Sequence, residues 1–304
     1  MVQGKLTGLR SVELGVADLS ASTRFYTEIW GLTPVVRTEK SVFLRGSAAY
    51  HHIVALHRRS KAELLSVTFN ARSRGDVDAL HAVVQRAEAA AIEAPGLVNE
   101  PSGGYGFAFQ DPEGRILRVV AGDERYADAA PVSDRPHQLA HVVLNSEDVP
   151  KSRDFFVDVL GFRLTDQTQS MNFITCNDHH HNIALARGSG PTLNHVAFEM
   201  RDLESLMRGA GRLRDHGYAI EWGVGRHGPG DNVFAYFIAP EDYVVEYTAE
   251  VLRIDASYRT GKPEDWRWPP GRVDHWGISD PPSERMKVAQ QKIRFAETLM
   301  PVGG

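Results

Sequence analysis

One cysteine, Cys176, stands among 304 residues. No disulfide can close within the chain, and neither a CxxC redox motif nor a cysteine-based zinc site is available. Cys176 reads as a small buried apolar residue in a reducing compartment. No stretch approaches the roughly 18 consecutive apolar residues of a membrane span. The opening MVQGKLTGLRSVELGV has no apolar segment of a secretory leader. A basic excess is missing too: Lys and Arg number 34 against 39 Asp and Glu, a net charge of −5, and no local run supplies the basic stripe of a nucleic-acid binder. These absences point to a cytoplasmic protein with neither nucleic acid nor membrane as partner. What is there, 42% apolar and 24% charged residues, is ordinary globular composition, and the length suits two domains of common size.

The chain repeats itself. GLRSVELGVADLSASTRFYTEIWGL (8–32) lies over QLAHVVLNSEDVPKSRDFFVDVLGF (138–162) at an offset of 130, aligning Asp18 with Asp148, Phe25 with Phe155 and Gly31 with Gly161. AYHHIVALHR (49–58) lies over DHHHNIALAR (178–187), and LLSVTFNAR (64–72) over LNHVAFEMR (193–201), both at 129. FAFQDPEGRILRVVA (107–121) lies over AYFIAPEDYVVEYTA (235–249) at 128. The join falls in the Ala-, Asp- and Pro-rich stretch 121–138. Residues 1–130 and 131–304 are therefore expected to be tandem domains.

Each half divides again into two units of strand, amphipathic helix and three short strands. The expected fold is α+β: two domains, each of two βαβββ modules forming a cupped, partly closed mixed sheet whose concave face can enclose a ligand. The helix over 203–217 would bury Leu203, Leu206, Met207 and Leu213. A last helix is expected over 283–299, outside the repeat.

The halves differ where chemistry is concerned. His141 replaces Ser11, His195 replaces Ser66 and Glu246 replaces Arg118. A guanidinium is no metal ligand, so the second half alone could hold a cation at these positions. Strand alternation puts each of the three on one face of its own strand. Two histidines and a carboxylate make the facial triad of non-haem Fe(II) sites, with positions left open for substrates. Read singly, the same residues could be hydrogen-bonded polar groups of a core or a strand surface; the repeat favours the site.

In these motifs the chain resembles type I extradiol ring-cleavage dioxygenases of the vicinal oxygen chelate superfamily, over roughly residues 6–250. The resemblance implies a glyoxalase-like fold and an Fe(II) site on His141, His195 and Glu246, with Mn(II) accepted by similar donors. HNIALARGSGPTLNH fits the family's histidine beside the metal with His181. RHGPGDNVFAYFIAPEDYVVEY fits its terminal segment with His227, Tyr236 and Glu246. The implied reaction is O2-dependent cleavage of a catechol-type ring to a semialdehyde or keto acid in aromatic-compound degradation. His181 would move protons, with His227 and Tyr236 hydrogen-bonding the reacting oxygens.

Phe173 would pack on the ring, or simply in the core. Trp266, Trp268, Arg272 and His275, in DWRWPPGRVDHWG (265–277), would wall the pocket, or form a packed strap. His179 and His180 read as turn or rim positions, and His52 as a packed relic. The family implies a homo-oligomer, dimer or tetramer. Two other readings stand beside this one. One is another metal enzyme of the fold, an isomerase or a 4-hydroxyphenylpyruvate-dioxygenase-like oxygenase. The other is a metal-free protein that binds a small aromatic.

Overall fold

The computed structural model describes residues 4–87, 89–90, 92–127 and 130–299. The first half runs β1 (Leu6–Val16), α1 (Leu19–Arg24), β2 (Thr33–Arg37), β3 (Ser41–Arg45), β4 (Val54–Arg58), then β5 (Glu63–Ala71), α2 (Arg74–Arg86), β6 (Gly96–Leu97), β7 (Tyr105–Gln110) and β8 (Ile116–Ala121). The second half repeats the order: β9 (Gln138–Ser146), α3 (Val149–Asp154), β10 (Arg163–Gln167), β11 (Met171–Thr175), β12 (Ile183–Arg187), then β13 (Thr192–Glu199), α4 (Leu203–Asp215), β14 (Trp222–Arg226), β15 (Val233–Ile238) and β16 (Val244–Ala249). Four βαβββ modules are present, as the repeat implies.

Each half is one sheet, in the order β2-β3-β4-β1-β5-β8-β7-β6 and β10-β11-β12-β9-β13-β16-β15-β14. Both sheets are open: the end strands of each path do not pair, so the closure goes less far than expected. The first strands of paired modules, β9 and β13, run antiparallel at the centre, each with a parallel neighbour outside it, β12 and β16.

Local chemistry sets the helix ends. Asp18 accepts a hydrogen bond from Ala21 N–H, and Asp148 one from Lys151 N–H, capping α1 and α3. Each helix passes into one π-helical turn, Phe25–Ile29 and Phe155–Val159. The chain then turns at Gly31 (φ +96°) and Gly161 (φ +79°), a left-handed backbone open to glycine. On α4, Leu206, Ala210 and Leu213 are buried, but Met207 is 48% exposed, one position off the core stripe.

One hydrophobic core runs through both halves. Trp30 stacks on Tyr247 at 3.8 Å, and the Tyr247 hydroxyl donates to Trp30 O. Phe69 of the first half meets Phe162 of the second edge to face.

The C-terminal helix is shorter than expected. It covers only α5 (Glu284–Ala289). Beyond it β17 (Ile293–Arg294) pairs antiparallel with β13, and Phe295 bridges to Leu64 of the first sheet. The Asn145 amide donates to Gln290 O, and the buried Ile293 and Phe295 alternate with exposed Arg294. That period of two suits a strand, and the ladder to β13 supplies the bonds a longer helix would have made.

Candidate metal centre

The centre of the second sheet places its polar side chains by register. His141 on β9 lies opposite Ala197 on β13, Ala197 opposite Glu246 on β16, Glu246 opposite Tyr236 on β15, and Tyr236 opposite Trp222 on β14. Residues in one such row share a face of the sheet. His195 stands two residues before Ala197 and joins that face. It pairs with Val143, two residues from His141, and a β-bulge sits just before it, where Leu193 pairs with Leu144 and Asn194 is the extra residue.

The three ligand atoms converge. His141 Nε2 and His195 Nε2 each lie 3.1 Å from Glu246 Oε2, and 3.4 Å from each other. All three residues are buried. Donors on one octahedral face around a cation about 2.1 Å away lie roughly 3 Å apart, so the set fits a divalent metal. Burial raises the Glu246 carboxyl, but its His141 and His195 partners outweigh this and hold it well below the usual carboxylate range. It is therefore an anion at neutral pH, as a metal ligand must be.

Neighbours orient two of the ligands. His195 Nδ1 donates to Asn194 Oδ1 at 2.8 Å, which leaves Nε2 free to coordinate. Asn194 is held in turn by Gln290 (2.8 Å) and Asn145 (3.0 Å). Asn232 donates to Thr248 Oγ1 at 2.7 Å and stands 3.4 Å from Glu246 Oε1. Asn194 and Asn232 were not among the expected site residues. The half-against-half comparison carried their signal, because Leu65 and Gly104 stand at their places in the first half.

A cavity of about 300 Å³ opens on His141 and His195 of the triad, with His181, His227, Tyr236 and Phe173 among its other walls. The His181 ring lies 4.2 Å from that of His141, and 5.1 Å from Phe173 edge to face. Burial, with His141 and His180 adding to it, keeps His181 well below the ordinary histidine value. His227 Nε2 is 2.9 Å from the Tyr236 hydroxyl. Burial draws His227 down to about 4 and pushes the Tyr236 phenol well above its usual value, so the hydroxyl keeps its proton.

Three expectations change. His180 is no rim residue: it is wholly buried, with Nε2 2.8 Å from Asp166 Oδ2 and Nδ1 2.9 Å from His181 Nδ1. His179 is buried as well, its backbone bridged to Arg253. In the strap, Trp268 and Val273 face the cavity, whereas Arg272 and His275 are exposed on the outside. Asp274, between Val273 and His275, turns inward to accept from Gly277 N–H and from Ser279, which sends its neighbour His275 outward against Trp268. Cys176 is partly buried, and burial pushes its thiol up to about 12, which makes it a poor nucleophile.

The matching place in the first half is filled. Arg118 donates to Glu13 and Glu100, and burial of Glu13 is outweighed by Arg118 and His57, which hold it well below the carboxylate range. Arg10 Nη1 lies 2.9 Å from Ser11 Oγ and 2.9 Å from His52 Nε2. About 10 Å³ of space remains there.

Comparison with known proteins places these features among relatives. A model of the glyoxalase/bleomycin resistance protein/dioxygenase superfamily matches residues 8–119 and again 138–247. The chain is 36% identical to the Mn(II)-bound glyoxalase from Novosphingobium aromaticivorans, whose crystal structure superposes with a TM-score of 0.86 over 92% of this chain and 94% of that one. It is 28% identical to metapyrocatechase 2 of Cupriavidus necator, over 80% of this chain and 81% of that protein. An extradiol ring-cleaving dioxygenase from B. fuscum, at 24% identity, shares the fold with a TM-score of 0.81 over 90% of this chain and 79% of that one.

Proposed function

The chain belongs to the glyoxalase/bleomycin resistance protein/dioxygenase superfamily, and from that premise we propose that it is an extradiol dioxygenase cleaving a catechol-type ring with O2. The observation that carries this reading is the His141–His195–Glu246 facial triad, whose two histidines line one cavity with His181, His227 and Tyr236. Bound there, Fe(II) or Mn(II) would supply a chelation point for vicinal oxygens and a route for electrons from ring to O2.

The chain's own residues do the rest. Glu246 contributes one negative charge and the imidazoles none, so a divalent cation keeps a net charge near +1 that suits a singly ionised diol. His181, held neutral by burial, accepts a proton from the substrate side and returns it later in the turnover. Tyr236, which keeps its proton, donates to a developing oxyanion, with His227 Nε2 against its hydroxyl. Phe173, Val143, Met171 and Trp222 form apolar walls that orient the ring and exclude water. The net reaction breaks one ring C–C bond and places both atoms of O2 in a ring-opened acid bearing an aldehyde or ketone.

The reading includes two domains meeting near residue 130 with the metal chemistry in the second, a cytoplasmic location and a homo-oligomer. Among the described residues no helix is long and apolar enough to cross a membrane.

The test loads Fe(II) under anaerobic conditions, adds a panel of catechols and aminophenols, and admits O2. Oxygen uptake with a yellow ring-cleavage chromophore is expected. No uptake with any of them overturns the proposal and leaves an isomerase on the same triad, the reading that the glyoxalase relative favours.

A further inference from the structure

We propose that Asp166 and His180 are positioning residues that fix His181 as the Nδ1-protonated tautomer, leaving its Nε2 lone pair as the proton acceptor in the cavity. The catalytic part of this inference rests on the dioxygenase reading; the tautomer does not.

The chain of contacts begins at Asp166 on β10. Its carboxylate takes Gly261 N–H at 2.7 Å on Oδ1, His180 Nε2 at 2.8 Å on Oδ2, and the Tyr258 hydroxyl at 3.2 Å. A carboxylate only accepts, so His180 carries its proton on Nε2. As the one-proton imidazole, His180 has no second proton to give. Its Nδ1 is therefore an acceptor. The group 2.9 Å away, His181 Nδ1, must donate. One nitrogen of His181 is then left without a proton, on a ring that lines the metal cavity. Which nitrogen of a histidine acts is commonly set by the bond the other one makes.

The first half supplies an internal control. It keeps the histidine pair, His51 Nδ1 to His52 Nδ1 at 3.0 Å. It lacks the carboxylate: Val36 pairs with Phe43 where Asp166 pairs with Phe173. There Arg10 sits on His52 Nε2, the very nitrogen that His181 leaves open. Side-chain packing alone accounts for a buried histidine pair, but not for a buried carboxylate present only behind the pair that faces the triad.

Metal-free protein with 15N-labelled histidine decides the point. Long-range 1H–15N spectra at pH 7.5 should show His180 protonated on Nε2 and His181 on Nδ1. In Asp166→Asn, Gly261 N–H retains the amide oxygen and turns the NH2 toward His180 Nε2. His180 must then accept, and both tautomers should invert. Loaded with Fe(II), that variant should lose about 10²–10⁴-fold in kcat, with metal content and KM within about twofold. A wild-type His181 protonated on Nε2 overturns the proposal, and this reading stands even if the variant does not fold. Inverted tautomers with an unchanged kcat also overturn it. If the wild-type tautomers are as expected but no diol is cleaved, it is the dioxygenase reading that fails.

Discussion

The two halves share a backbone plan and differ in where their buried positive charge comes from. In the first, Arg118 and Arg10 bring guanidiniums on the chain itself, and Glu13 and Glu100 close around Arg118 until about 10 Å³ is left. In the second, imidazoles replace Ser11 and Ser66, a carboxylate replaces Arg118, and about 300 Å³ stays open for a cation from outside. The three ligands come with further changes, since Ala140 and Val143 stand where the first half has Arg10 and Glu13, and together these turn a self-neutralised core into a ligand set. A buried charge must be paired, and a duplicated fold can supply the partner covalently or borrow it.

The widest break in this contrast comes from giving the second half the first half's residue. Glu246→Arg should lower bound metal from about one per chain to near zero, read by elemental analysis, and abolish ring cleavage. The reverse operation is smaller. Arg118→Ala leaves Glu13 and Glu100 without their shared guanidinium and should cost about 3–5 kcal/mol of stability, measured by denaturant unfolding, with metal content unchanged. Loss of metal in this variant would show that the halves are not independent.

Acid separates the halves more gently. His227 titrates near 4 when folded against about 6.5 when unfolded, and burial also lowers His181 and His195. As pH falls from 6.5 toward 4, the unfolded chain binds protons that the folded one refuses. Metal-free stability should thus decline by up to about 1.4 kcal/mol per pH unit for each such histidine. Hydrogen exchange should report the loss in β9 and β13 before β1 and β5 of the first half, whose lowered pair is His51 and His52, ahead of β4. The smallest effect concerns the strap, which has no counterpart in the first half. Trp268→Ala should raise KM for the diol by roughly tenfold, about 1.4 kcal/mol of lost contact, at unchanged metal content.

The repeat made the modules and the triad legible, because period and offset survive in side-chain type. Hydrogen-bond partners brought in from elsewhere left no such mark. Gln290 and Tyr258 act through residues that fold next to them, and nothing in their local sequence sets them apart, while Asp166 differs from Val36 of the first half without its sequence showing which group it meets. His180 was read as a bystander because its role needs Asp166, fourteen residues earlier on β10. The helix expected over 283–299 gave way to β17 because an edge of β13 was open to pair with it, a tertiary fact that periodicity does not carry.

That terminal strand also sets an order of events. Gln290 holds Asn194, which holds His195, while the chain just beyond it joins β13 to Leu64 of the first sheet. During synthesis every ligand of the triad is made before residue 250, yet the brace that aims His195 emerges only some forty residues later. The metal centre is thereby tied to a segment made after all three of its ligands. A ribosome-bound fragment holding all three ligands would still lack the part that makes them a rigid set.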